Sequence, residues 1–107
     1  MLVLLDENVP QKLRLFLGGH DVRTVGFQGW SGLANGALLR AAEEAGFRAM
    51  VTADQGIRYE QNRRGSKLAL IMISTNERTF VMARASAILT AINTAQPGRL
   101  VFVDIGH

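Results

Sequence analysis

Blocks of consecutive apolar residues alternate along this chain with stretches in which apolar residues recur at every third or fourth position. The first block, Leu-Val-Leu-Leu at residues 2–5, sets the pattern. Four large apolar side chains in a row can all be buried only in a strand covered on both faces, as in a parallel sheet between helices. Blocks at 47–52, 68–73 and 100–103 predict three more strands, and the β-branched, partly alternating residues 22–25 predict a shorter one. Between them, Val9, Leu13, Phe16 and Leu17 fit a short amphipathic helix with Asn8 as its cap, Pro10 in its first turn and Gly18-Gly19 at its end. Leu38, Leu39, Ala41, Ala42 and Ala45 fit a second helix, capped by Asn35 and closed by Gly46. Phe80, Ala83, Ala87, Ile88, Ala91, Ile92 and Ala95 fit a third, entered at Asn76 and Glu77 and stopped by Pro97-Gly98. Residues 26–32, with three glycines and Trp30, read as a loop, and residues 55–67 as a polar, basic stretch with room for one or two helical turns at most.

Strands that alternate with helices make an α/β protein, a three-layer sandwich around a mainly parallel five-stranded sheet with right-handed crossovers and the expected order 2-1-3-4-5. The chain length of 107 residues suits a single domain, 1–107. Hydrophobic residues make up 48% and charged residues 20%, which excludes a disordered chain. There is no cysteine, so disulfides, thiolate metal sites and a cysteine nucleophile are excluded, and any metal would need oxygen or histidine ligands. No apolar run reaches the length of a membrane span and no signal-peptide pattern opens the chain, so a soluble, cytoplasmic protein without a membrane partner is expected. The formal charge of +3 is compatible with nucleic acid without requiring it.

The chemistry gathers at strand ends. The first strand runs into Asp6, Glu7 and Asn8, and the third runs through Thr52 into Asp54 and Gln55. In open α/β sheets ligands bind outside the carboxyl ends of the strands, where strand order reverses. If the first and third strands are neighbours, Asp6 and Asp54 share that crevice. Carboxylates converging there suit Mg²⁺ or Mn²⁺, which take a few acidic ligands and complete their shell with water. The competing account is that each acid caps the turn or helix that follows it. Glu7, just past its strand, is either a third ligand or a solvated partner of a helix dipole. Arg58, Arg63, Arg64 and Lys67 stand against Glu60 alone, directly after Asp54. They are suited to an RNA backbone, with Tyr59 or Trp30 as a stacking face, or else form a solvated loop. Gln55, Gln61 and Asn62 can hydrogen bond substrate or the loop's own backbone.

Taken together, Leu-Leu-Asp-Glu-Asn at residues 4–8, Asn-Gly-Ala-Leu-Leu at 35–39 and Val-Thr-Ala-Asp at 51–54 resemble the PIN-like proteins, compact relatives of the PIN-domain nucleases. The resemblance extends over nearly the whole chain in the same element order. It implies a divalent-metal-dependent endoribonuclease, often the toxin of a toxin–antitoxin pair, with RNA as substrate and a small antitoxin and a second copy of the chain as partners. Asp6 carries over as the first acid and Asp54 as the acid of the Thr-x-Asp motif, with Thr52 as a supporting hydroxyl. Asn8, Gln55, Arg58, Tyr59, Asn62, Arg63 and Arg64 are then the candidate substrate contacts. The chain departs from the family at Asn35, where an acid is common; an amide ligates through its oxygen but brings no charge. The further Glu of larger PIN domains has no counterpart here.

Two other classes fit the same residues. One is a catalytically degenerate relative that binds RNA or protein without cutting. The other is a receiver-type regulatory domain, in which Asp6-Glu7 would be the acidic pair and Asp54 the phosphoacceptor; against it, no lysine follows the fifth strand. His20 follows a Gly-Gly helix end and His107 is the last residue, so neither joins a hydrolase triad. Residues 26–32 lack the glycine spacing of a dinucleotide loop.

Overall fold

The computed structural model describes residues 1–57 and 65–106. The apolar tetrapeptide at the start is β1 (Leu2–Leu5), followed by β2 (Asp21–Thr24), β3 (Ala49–Thr52), β4 (Ala69–Ile73) and β5 (Leu100–Val103). All pairings are parallel and the order is β2-β1-β3-β4-β5. The expected sheet and its 2-1-3-4-5 order are therefore present, flanked by helices on both faces.

Why the apolar blocks are continuous is now clear from the packing. Every residue of β3 and β4 is buried. Successive side chains point to opposite faces of a strand, and each face has its own core. Val3, Leu5, Val51, Ile71 and Ile73 join Leu13, Leu17, Val81, Ile88 and Ile92 on one side. Leu4, Met50, Leu70 and Met72 join Val25, Leu38, Leu39 and Phe47 on the other. Burying one such aliphatic side chain stabilises the fold by about 1.5–3 kcal/mol, which makes the two-faced strands the anchor for everything at their ends.

The helices differ from expectation in their details. The first is a 3₁₀ helix, Gln11–Phe16, with Pro10 at its N-cap and no side-chain cap bond. Leu13 and Leu17 are buried, but Phe16 is exposed. Asn8 does not cap it, because its side chain is held elsewhere. The predicted strand 22–25 ends one residue early, and Val25 instead starts α1 (Val25–Gln28), buried against the sheet and capped by the Thr24 hydroxyl, which accepts from Phe27 N–H. Helix α2 (Asn35–Glu44) begins at Asn35 itself, with Ala34 at the N-cap.

The expected single helix over 77–95 is two, α3 (Arg78–Ala83) and α4 (Ala85–Asn93), separated by Arg84 at φ −113° and ψ 22°. Glu77, not Asn76, caps α3, its carboxylate accepting from Thr79 N–H at 3.2 Å. α4 packs on β4, β5 and the 3₁₀ helix, burying Ala85, Ile88, Ala91 and Ile92. In α3 the buried residue is Val81, and Phe80 and Ala83 face solvent.

Candidate functional site

The carboxyl ends of β1 and β3 lie side by side, held in register by Leu5 opposite Val51 and by Asp6 N–H donating to Val51 O at 2.9 Å. β1 is where the order reverses, because the chain continues from it to β2 on one side and later to β3 on the other. Both candidate acids sit on this rim.

Asp6 is 8% exposed. Its Oδ1 accepts from Glu7 N–H at 2.8 Å, and its Oδ2 accepts from the Thr52 hydroxyl at 2.8 Å. Thr52, fully buried, in turn accepts from Asp54 N–H at 3.0 Å. One hydroxyl, 46 residues from Asp6 in sequence, thus ties the two acidic positions together. The carboxylate of Asp54 is partly exposed; Oδ1 accepts from Gly56 N–H at 2.9 Å and Oδ2 from the Asn35 side-chain amide at 3.2 Å. Asn35 is exposed at the first turn of α2, so the helix delivers an amide to the rim from the far side of the crevice.

The side chains of three further expected residues bond near this rim but not to Asp6 or Asp54. Asn8 Oδ1 accepts from Ala53 N–H at 3.0 Å and fixes the backbone between Thr52 and Asp54. Gln55 donates through Nε2 to Ile73 O at 3.2 Å, bracing the loop on the end of β4. Glu7 is exposed and its Oε1 accepts from Gly32 N–H at 3.1 Å, which turns it toward the loop after α1. Arg58, Tyr59, Asn62, Arg63 and Arg64 lie outside the described residues.

The chain matches no family model, no curated protein and no solved structure. What the site can do therefore rests on its own atoms. The oxygens it could offer a cation are those of the Asp6 and Asp54 carboxylates; Asn35 turns its Nδ2 toward Asp54, and the buried Thr52 hydroxyl is already engaged with Asp6 and with Asp54 N–H. Hard cations such as Mg²⁺ use one or two protein carboxylates and waters, and Asp6 and Asp54 are ligands of that type. Among the described residues no cluster of three or more His, Cys, Asp or Glu side chains forms a metal cage. Among them, too, no buried side-chain nitrogen or oxygen lacks a hydrogen-bond partner.

Asp104 escaped the sequence reading. It follows β5 as Asp6 follows β1, an acid directly after an apolar block, and that signal was available. Its Oδ1 accepts from the Ser74 hydroxyl at 3.3 Å and from Gly106 N–H at 3.0 Å, and Ser74 also accepts from Ile105 N–H at 2.8 Å. This second hydroxyl–carboxylate pair closes the rim at the β4 and β5 ends. No helix among the described residues is long and apolar enough to cross a membrane.

Proposed function

We propose that this protein is a divalent-metal-dependent endoribonuclease on a PIN-like scaffold, the cytoplasmic toxin of a toxin–antitoxin pair. The observation that supports it is the chain of bonds from Asp6 through the buried Thr52 hydroxyl to the backbone of Asp54, with Asn35 on the second carboxylate. Acids that served only as turn caps would need no such tie between distant segments.

When bound, Mg²⁺ or Mn²⁺ would offset charge on the phosphate and activate a water for in-line attack. The chain's own contribution is positioning. Asp6, shielded from solvent, and Asp54, open to it, present the two charges. Thr52 fixes the rotamer of Asp6, Asn35 that of Asp54, and Asn8 holds the intervening backbone. The cationic side chains that follow Asp54 in sequence, Arg58, Arg63 and Arg64, would steer a single RNA strand to this rim; Lys67 lies beside Leu2, Arg48 and Ala69 at the amino ends of the strands and takes no part.

One observation favours a second reading. Asn35 gives the site an amide where a third charge would strengthen cation binding, and its Nδ2 donates to Asp54. A module of the same fold that binds RNA or a protein without cutting it meets that description.

One experiment separates the two. Purified protein is incubated with single-stranded RNA and Mn²⁺, beside Asp6→Asn and Asp54→Asn variants whose folding is checked by circular dichroism. Cleavage that is metal-dependent and falls at least ~100-fold in both variants, the usual scale for losing a catalytic group, supports the nuclease. RNA retention without cleavage, unchanged in both variants, rejects it in favour of the binding module.

A further inference from the structure

Among the described residues β2 is an edge strand, pairing only with β1. Asp21 N–H donates to Met1 O at 3.0 Å, so Asp21 and Arg23 aim their backbone groups at β1, and the alternation of a strand turns the N–H and C=O of Val22 outward. That open edge looks into a groove of about 900 Å³, walled by Gln11 and Arg14 of the 3₁₀ helix on one side and Gly26 and Phe27 of α1 on the other. Phe27 is 77% exposed, the most of any large apolar side chain described. Val22 packs toward the core. Asp21 and Arg23 stand on the opposite face, in register with Leu2 and Leu4.

We propose that this edge is occupied by the same strand of a second copy of the chain, running antiparallel, so that the two sheets become one. The argument is charge complementarity. With a two-fold axis through Val22, the two Val22 residues exchange backbone hydrogen bonds, and Asp21 of each copy falls opposite Arg23 of the other. Positions flanking a hydrogen-bonded pair bring their Cα atoms to about 4.5 Å, the closest side-chain approach in an antiparallel ladder. Opposite charges there stabilise the pairing and like charges oppose it.

Within one copy Asp21 and Arg23 already meet at 3.0 Å, with side chains 59% and 40% exposed. The second copy completes a ring of four alternating charges. Centring the axis on Arg23 instead would set arginine against arginine, so this strand's sequence selects one register. Phe27 flanks the junction and adds apolar area to it. The antiparallel arrangement points the two carboxyl rims in opposite directions. Each Asp6 and Asp54 cluster therefore acts alone, and the association does not depend on what that cluster does.

Sedimentation equilibrium of the whole chain over a concentration series tests this. Asp21→Arg and Arg23→Asp each set like charges against one another at both cross-strand positions, and each variant alone should self-associate at least about tenfold more weakly, about 1.4 kcal/mol. Mixed in equal amounts, they should associate as tightly as the original chain, because every substituted side chain again faces its opposite charge. The double variant, with the charges exchanged, should also recover. Asp21 is exposed and Arg23 half-exposed, and circular dichroism checks that each variant is folded. A chain that stays monomeric up to about 1 mM, variants that associate undiminished, or a mixture that forms no mixed dimer would each overturn the proposal.

Discussion

Thr52→Val isolates the hydroxyl that joins the two acidic positions. Thr52 has no exposed surface, and its Oγ1 donates to Asp6 Oδ2 at 2.8 Å and accepts from Asp54 N–H at 3.0 Å. Valine preserves the volume, the β-branch and the strand preference but removes both bonds. A hydrogen bond to a charged carboxylate is worth about 1.5–3 kcal/mol, and a partly buried N–H left without its acceptor costs about 1 kcal/mol more. The added methyl returns roughly 0.8 kcal/mol of burial. The net loss should be about 2–3 kcal/mol, a large part of the ~5–15 kcal/mol that holds a domain of this size together.

Thr52→Ser is the control. It keeps the hydroxyl and loses one buried methyl, a cost of about 1 kcal/mol. Urea unfolding can be followed by the fluorescence of Trp30, the only tryptophan, a half-buried ring packed against the core that meets Phe47 edge-on at a centroid distance of 5.8 Å. The expected ranking is original chain, then serine, then valine, with the midpoint moving and the slope unchanged. If the valine variant is as stable as the serine variant, or more so, the hydroxyl does not hold the rim together and the reasoning built on it fails.

Two other perturbations probe the same rim. Asn8→Ala removes the acceptor of Ala53 N–H and should cost about 1 kcal/mol in urea unfolding; a change below about 0.3 kcal/mol would mean that this tie is absent in solution. Asn35→Asp exchanges the amide that donates to Asp54 Oδ2 for a like charge, a penalty of roughly 1 kcal/mol in metal-free buffer. Added Mn²⁺ should then raise the melting temperature of the variant by several degrees more than that of the original chain, and equal responses would argue against a cation at this rim.

The sheet was legible in the sequence because β1, β3 and β4 are buried on both faces, which leaves no polar alternation to misread. Their order is a common one for a doubly wound sheet, 2-1-3-4-5, and it sets β1 beside β3. Helix ends were less legible for a definite physical reason. Asn8 and Asn35 both precede apolar helical runs, and an asparagine there is locally a good cap. In the folded chain their side chains are committed to Ala53 and Asp54, 45 and 19 residues away. Local pattern cannot weigh a partner that only the tertiary fold supplies. The break at Arg84 escaped for a similar reason. The apolar period runs on past it, whereas in the fold α4 is seated on β4 and β5 as a helix separate from α3.

The same contrast distinguishes a functional rim from a pair of caps. Each acid makes one local bond, Asp6 to Glu7 N–H and Asp54 to Gly56 N–H, and turn chemistry alone accounts for these. Each also takes one bond from a distant segment, Asp6 from Thr52 and Asp54 from Asn35, and a cap has no use for it. A carboxylate oxygen has two lone pairs, so a single donor per oxygen orients the group and still leaves acceptor capacity on each. Both carboxylates are therefore held in one orientation, and a ligand bound there would cost little further rotamer entropy. The long-range donors are what this arrangement adds beyond the needs of the turns, which is why substitutions at Thr52 and Asn35, rather than at the acids alone, show whether the rim was built to bind.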